Sequence, residues 1–416
     1  MTLRAVAWSA AVDLGIVAAV VFGWGLDWRG EWKTAASQLM IAPFLLGPFI
    51  ACVAAWAAFQ QQRLATLVAA GRRPFLSVAR AGALAWAWAM LAWTVMLVGT
   101  SIATAVRVGS ADLGGLWPAF LMAPVALACY SAIGAAAGRL LPYWLTVVLV
   151  GPLLFGIWEA MGEGWVPGLL DQGPDSPSLA GFDWDATYLL EQTVGVLAVT
   201  ALACLLPAAL VRRSPRDVGS AAVVAVVVVV ASSLVGTDLL RGEVVESPQA
   251  VATACAGRSP VVCVAPEHGW IATRVRAAIE PDLRQLQMVG VRLPSRFAEL
   301  YAGSRRVPRA GAIFFDIGGT FGPGEAAGLL TDPGACPAFE SLNHPPADRV
   351  FDAQWFIKDW LLVHTGHRPD IATDREYDWL HHASSDQQDG WVRTTYDRLR
   401  TCRLAAVQLP TMAAKK

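Results

Sequence analysis

Charge is what this sequence has least of. Asp, Glu, Lys and Arg make up 16% of its 416 residues, while 55% are hydrophobic and the mean hydropathy is +0.46. That balance excludes an ordinary soluble globular protein, and a net charge of −1 gives no reason to expect a nucleic-acid partner. Recognisable catalytic motifs are missing too. The chain has no Walker motif, no His-Glu-x-x-His and no nucleophile elbow. Nucleotide hydrolysis, zinc proteolysis and serine-triad chemistry are therefore not expected, and no catalytic, cofactor or metal site is assigned.

What is present is unevenly spread. Residues 1–240 hold the long apolar runs, whereas 241–416 read as a polar globular domain. A helix needs about 20 mostly apolar residues to cross a bilayer core. Seven segments qualify: 5–26, 39–59, 81–105, 116–138, 140–158, 192–211 and 218–238. Lipid offers backbone amides no partner, so each is expected to be a helix. The expected fold is an all-α polytopic membrane bundle of seven transmembrane helices with the N-terminus inside. A C-terminal extracytoplasmic α/β or α+β domain follows.

The direction comes from basic residues in the short flanks. With the N-terminus inside, Arg4, Arg63, Arg72, Arg73, Arg80, Arg139, Arg212, Arg213 and Arg216 face the cytoplasm, against only Arg29, Lys33 and Arg107 on the other side. The loop 159–191 has no Lys or Arg but carries Glu159, Glu163, Asp171, Asp175, Asp183, Asp185 and Glu191. Seven crossings then leave the tail outside the cell membrane. Asp13 is the one charge near the middle of a span, and such residues usually face a cavity or a partner. It also interrupts the apolar run, and no small-x-small site follows before Trp24 and Trp28, so residues 5–26 are expected to be retained rather than cleaved.

Cys52, Cys129 and Cys204 lie inside the expected spans as small apolar packing residues, while Cys255, Cys263, Cys336 and Cys402 lie in the tail. Four cysteines in an extracytoplasmic domain suggest two disulfides, with three possible pairings. "CAGRSPVVC" (255–263) can fold back on itself around its Gly and Pro, which pairs Cys255 with Cys263 and leaves Cys336 for Cys402. In the tail, "SPVVCVAP" and "AGAIFFDIG" read as short buried strands. Ile271, Val275, Ala278, Ile279 and Leu286 recur at helical spacing. "DRVFDAQWFIKDWLLVHTG" is a second amphipathic helix ended by Gly366, and "DGWVRTTYDRLRTC" a last one.

"AIFFDIGGTFGPG" (312–324) resembles the opening of many sugar kinases. It sits late in the chain, with 96 residues after Thr320, too few for two large lobes, and on the side where ATP is scarce. A tight turn after a strand, followed by a flexible "FGPGEAAG" loop, is the better reading. All six histidines are in the tail, including "HTGH" and "HH"; they are expected on the solvated surface, since Gly366 breaks any helix joining His364 to His367.

The loop "QQQRLATLVAAGRRP" (60–74) puts Leu64, Leu67 and Val68 on one helical face beside Arg63, Arg72 and Arg73. It is expected to form a short helix between spans two and three, lying either on the membrane surface or against a cytoplasmic partner. "AAWAAFQQQRLATLVAAGRRPFLSVAR" and "IGAAAGRLLPYWLTVVLVGPLL" are similar in style to actinobacterial permease-like membrane proteins, and the N-terminal half resembles the permease subunit of an export-class ABC transporter. The resemblance covers residues 1 to about 265 and is architectural. It implies a separate cytoplasmic ATP-binding subunit contacting the 60–74 loop, an apolar or lipid-like substrate, and a homo- or heterodimer in membrane lipid. The seventh span and the large tail depart from a six-span permease. The alternative is a non-transporting anchor for an external binding, sensing or resistance domain.

Overall fold

The computed structural model describes residues 15, 27–67, 74–110, 112–141, 143–162, 173–174, 178–212, 219–226, 228, 243–247, 252–299, 311–313, 321–332, 336, 346–369 and 374–410. The chain divides into two compact units. One holds Met1–Pro177 and Phe182–Val245, the other Ser178–Gly181 and Glu246–Lys416.

The first unit is helical: α1 (Trp32–Leu67), α2 (Pro74–Val108), α3 (Trp117–Leu140), α4 (Trp144–Gly162) and α5 (Ala186–Arg212). Among the described residues, four stretches are long and apolar enough to cross a membrane: Trp32–Gln62, Ala79–Val108, Gly114–Leu140 and Ala186–Pro207. The expected span 140–158 appears later, as α4, and its apolar stretch Trp144–Ile157 is shorter than a full crossing. The expected first span lies outside the described residues apart from Gly15. Of the seventh, residues 219–226 and 228 are helical.

In α2, Ala81, Ala85, Ala89, Trp93, Met96, Thr100 and Thr104 are buried, spaced three to four apart. Leu84, Leu91, Val95, Val98, Ile102 and Val106 form the exposed face. Small residues inside and large aliphatic ones outside suit a helix whose outer face meets lipid, because close backbone approach rather than water exclusion then drives helix pairing. The α1–α3 contact is the tightest example. A Cβ on Gly134 would land on the Ala51 carbonyl, and one on Gly138 on the Ala55 carbonyl. The run Gly134-Ala-Ala-Ala-Gly138 therefore lets α3 lie directly on α1.

One end of this unit is tied by polar contacts. Trp32 Nε1–H donates to the Ser110 carbonyl at 3.2 Å, and Trp184 Nε1–H to the Gly115 carbonyl at 3.1 Å. Lys33 Nζ donates to the Phe182 carbonyl and, at 3.3 Å, to Asp183 Oδ1. Phe182 opens strand β1 (Phe182–Trp184), which pairs with β2 (Val244–Glu246). Ser37 Oγ–H donates to the Pro174 carbonyl at 2.7 Å, and Gly173, at φ +92°, donates its amide to Glu243 Oε2 at 2.7 Å. A side chain at 173 would collide with the Ser37 carbonyl, so only glycine lets this loop lie on α1.

The second unit is α/β. Its sheet runs β3 (Ala254–Ala256), β4 (Val261–Val264), β5 (Arg296–Glu299), β6 (Ala312–Ile313) in that order; β3 is antiparallel to β4, and β4, β5 and β6 are parallel. Helix α6 (Ala272–Met288) connects β4 to β5, and α7 (Pro323–Thr331), α8 (Pro346–His364), α9 (Asp374–His382) and α10 (Ser385–Arg400) follow. Val262, Val264, Phe297 and Ile313 from the sheet meet Val275, Ile279, Leu283 and Leu286 of α6 in one core. Phe356, Ile357 and Trp360 of α8 join it, with Val392, Tyr396 and Leu399 of α10.

Gly366 ends α8 as expected: at φ +81° its amide bonds the Val363 carbonyl and the His367 amide reaches back to the Leu362 carbonyl at 2.7 Å, a Schellman stop. The expected flexible loop "FGPGEAAG" is mostly helix α7. Pro323 sits at its first position, and the Glu325 carboxylate accepts from the Gly322 amide at 2.9 Å.

Candidate functional site

Two disulfides join the tail cysteines: Cys255–Cys263, with Cα atoms 4.0 Å apart, and Cys336–Cys402, with Cα atoms 5.4 Å apart. Cys255 and Cys263 face each other directly across β3 and β4. Cys336 is buried in the core, and its partner follows α10. Cys52, Cys129 and Cys204 are free.

The expected partner-contact residues divide. Arg63, Leu64 and Leu67 belong to the last turns of α1, which runs unbroken for 36 residues, so they do not form a separate short helix. Nothing between Trp32 and Leu67 stops the helix: Pro43 and Pro48 both lie inside it, and the polar run Gln60–Arg63 contains neither Gly nor Pro. Val68, Arg72, Arg73 and the intramembrane Asp13 lie outside the described residues.

His268 corrects the surface reading of the histidines. It is fully buried, and its Nδ1 lies 2.5 Å from Oε1 of the buried Glu299. Glu299 Oε2 accepts the Ala265 amide at 2.7 Å. One carboxylate thus joins the end of β5 to the turn that carries β4 into α6. With both side chains enclosed, the pair serves to fix the carboxyl edge of the parallel strands, where ligands of α/β sheets commonly bind. His364 is spent locally: its Nδ1 lies 2.8 Å from the Trp360 carbonyl and its ring lies over Trp360. Among the described residues, no three His, Cys, Asp or Glu side chains gather as a metal site would require.

The opposite, amino edge holds a cavity of about 140 Å³ lined by Val291, Leu293, Pro294, Tyr396, Arg400 and Thr401, among others. The Tyr396 hydroxyl is buried with no partner among the described residues, and burial pushes its pKa up while the Arg400 guanidinium pulls the other way. Arg400 donates Nη2–H to the Ala312 carbonyl at 2.6 Å and Nη1–H to the Asp332 carbonyl at 3.3 Å. It holds the amino edge of the sheet to α7 and α10. Sequence reading missed this arginine because its neighbours Arg398 and Arg403 look the same, although Arg398 is only half-buried and Arg403 is exposed.

Within the helical unit, polar side chains cluster at the tied end: Thr34 and Ser37 of α1, Thr100 and Thr104 of α2, Gln192 and Thr193 of α5, all buried. Thr193 satisfies itself on the Leu189 carbonyl at 2.7 Å, but the hydroxyls of Thr34 and Thr104 have no partner among the described residues. Comparison with family models, with curated proteins and with solved structures finds nothing that matches this chain.

Proposed function

We propose that this chain is a multi-pass membrane protein whose helices hold a disulfide-bonded α/β binding domain outside the cytoplasm. One observation carries the reading. A unit with its own core and two disulfides follows a helical unit whose exposed faces are aliphatic. Disulfides persist where the environment oxidises, and exposed rows such as Leu84, Leu91 and Val95 need lipid. The cavity beside Tyr396 and Arg400 is the place a small polar ligand would enter. A reporter fused after Lys416 tests the sidedness: activity only outside the cytoplasm is expected, and cytoplasmic activity overturns the reading.

A second reading is favoured by the buried Thr34 and Thr104 hydroxyls, which a mere anchor has no need of. Here the helical unit is the permease-like subunit of an exporter, driven by a separate ATP-binding subunit at the end of α1. On this reading Leu64→Asp with Leu67→Asp abolishes co-purification of that subunit and leaves membrane insertion intact. A wild-type protein that captures no ATPase leaves the anchored-domain reading alone.

A further inference from the structure

We propose that Cys255–Cys263 is a thiol–disulfide exchange site, attacked by an external thiolate at Cys255, whereas Cys336–Cys402 is a structural bridge that does not exchange. The proposal rests on the extracytoplasmic reading of the second unit, where such a bridge would meet thiol reductants of the envelope.

Attack on a disulfide proceeds in line with the S–S axis, so what lies beyond each sulfur decides which one is reachable. Cys255 and Cys263 are paired across β3 and β4, so that axis runs from strand to strand. Among the described residues β3 is the terminal strand, so beyond Cys255 lies the edge of the sheet. Cys255 is exposed. Beyond Cys263 lies β5, whose Ala298 is its register partner and packs with it and Ala252 in a small buried cluster. The approach to Cys255 is open and the approach to Cys263 is closed. Exposed disulfides are the labile ones; Cys255 is exposed, whereas in the other bridge Cys336 is buried and Cys402 is half-buried against the core.

Loop length points the same way. The first bridge spans 8 residues and the second 66, and the constraint that a bridge places on the unfolded chain grows with the logarithm of the loop. Opening the first costs the fold less, and the β3–β4 backbone pairing holds the two thiols adjacent for reoxidation.

The chemistry balances with a dithiol or two monothiols as reductant. A thiolate bonds to Cys255 Sγ as the Cys255–Cys263 bond breaks, and Cys263 leaves as a thiolate that takes a proton from solvent. A second reductant thiolate then attacks the reductant's own sulfur in the mixed disulfide and releases Cys255 as a thiolate. The protein has gained two electrons, and the reductant has become a disulfide.

Reduced glutathione is the probe, added to the purified full-length protein in non-denaturing detergent. The reaction is quenched with acid, free thiols are alkylated, and each cysteine is read by peptide mass spectrometry. Thiols at Cys255 and Cys263 should appear at least about tenfold faster than at Cys336 and Cys402, with glutathione trapped on Cys255 alone. Equal rates, prior opening of Cys336–Cys402, or glutathione on Cys263 would each overturn the proposal. A Cys263→Ser variant should take glutathione at Cys255 from oxidised glutathione; if its Cys255 stays unmodified while Cys336–Cys402 remains closed, the sulfur is not accessible and the idea fails. A cytoplasmic reporter after Lys416 would remove the location reading but leave this rate comparison standing.

Discussion

The two units expose opposite things. In α2 the interior positions are mostly alanine and threonine, and the outer ones are mostly leucine, valine and isoleucine. In α8 the interior positions are Phe356, Ile357 and Trp360, while Asp348 and Asp352 are exposed. Each pattern is what its surroundings select. Water penalises exposed aliphatic surface, so the second unit hides its largest side chains. Lipid does not, so α2 can turn leucine, valine and isoleucine outward, while small residues bring backbones together and large ones such as Leu39, Ile50 and Tyr130 still pack between the helices. The same residue type therefore means different things in the two halves.

That contrast is broken most severely at Gly134. Gly134→Leu places a branched side chain where the Ala51 carbonyl already lies, and neither backbone can retreat without parting α1 from α3. Loss of monodisperse folded protein in detergent is expected. Val98→Leu, on the exposed face of the neighbouring helix, should leave size-exclusion behaviour unchanged. If both variants elute like the wild type, close α1–α3 packing is not what holds the bundle.

The disulfides sharpen the comparison inside the second unit. Removing Cys336–Cys402 with paired serines should destabilise it by about 4 kcal/mol on the chain-entropy estimate for a 66-residue loop. The same estimate makes the 8-residue bridge worth about 2 kcal/mol less. Urea titration of the full-length protein, followed by hydrogen exchange in α10 and α6, checks the order. A larger loss from Cys255–Cys263 would reverse it.

Much of this was legible in the sequence, for reasons that differ between the halves. Helices lie at the five expected apolar segments from 39 to 211 and over the described residues 219–226 of the seventh, because a span must be continuously apolar, which is a long-range signal. The α6 stripe and the Gly366 stop were readable because periodicity and left-handed glycine act locally. Strand β5 was not. "RFAE" is four residues with a charge at each end, and it becomes a central strand only because β4 and β6 pair with it. Nothing local marks Glu299, and its partner His268 is 31 residues away, so their pairing exists only in the fold. Helix α7 hid behind Gly322, Pro323 and Gly324, which read as a loop although Pro at the first position and Glu at the third open helices well. The 60–74 loop read as a separate short helix, but its residues 60–67 contain no Gly or Pro and simply continue α1.

The smallest expected effect concerns Asp282, a carboxylate on the buried face of α6. Desolvation pushes its pKa up to about 7 from the ordinary 3.8. In the unfolded chain the group ionises near 3.8, so between the two values the folded state holds a proton that the unfolded state has released. Stability therefore falls as pH rises through this window, is unaffected by the group below it, and levels off above about 7. From pH 5 to pH 8 the wild type should lose about 2–3 kcal/mol from this residue, at 1.36 kcal/mol per unit. Asp282→Asn keeps the shape and cannot ionise, so it should remove that slope and be the more stable protein at pH 8. The control sits in the same unit: Asp348→Asn, at an exposed position on α8, should leave the slope unchanged. Hydrogen exchange of the α6 amides, wild type against variant at each pH so that intrinsic rates cancel, reads the difference directly. Protection that is equal in wild type and Asp282→Asn at pH 8 would mean that water reaches the carboxylate and that this face of α6 is wetter than its aliphatic neighbours Ile279, Leu283 and Leu286 imply.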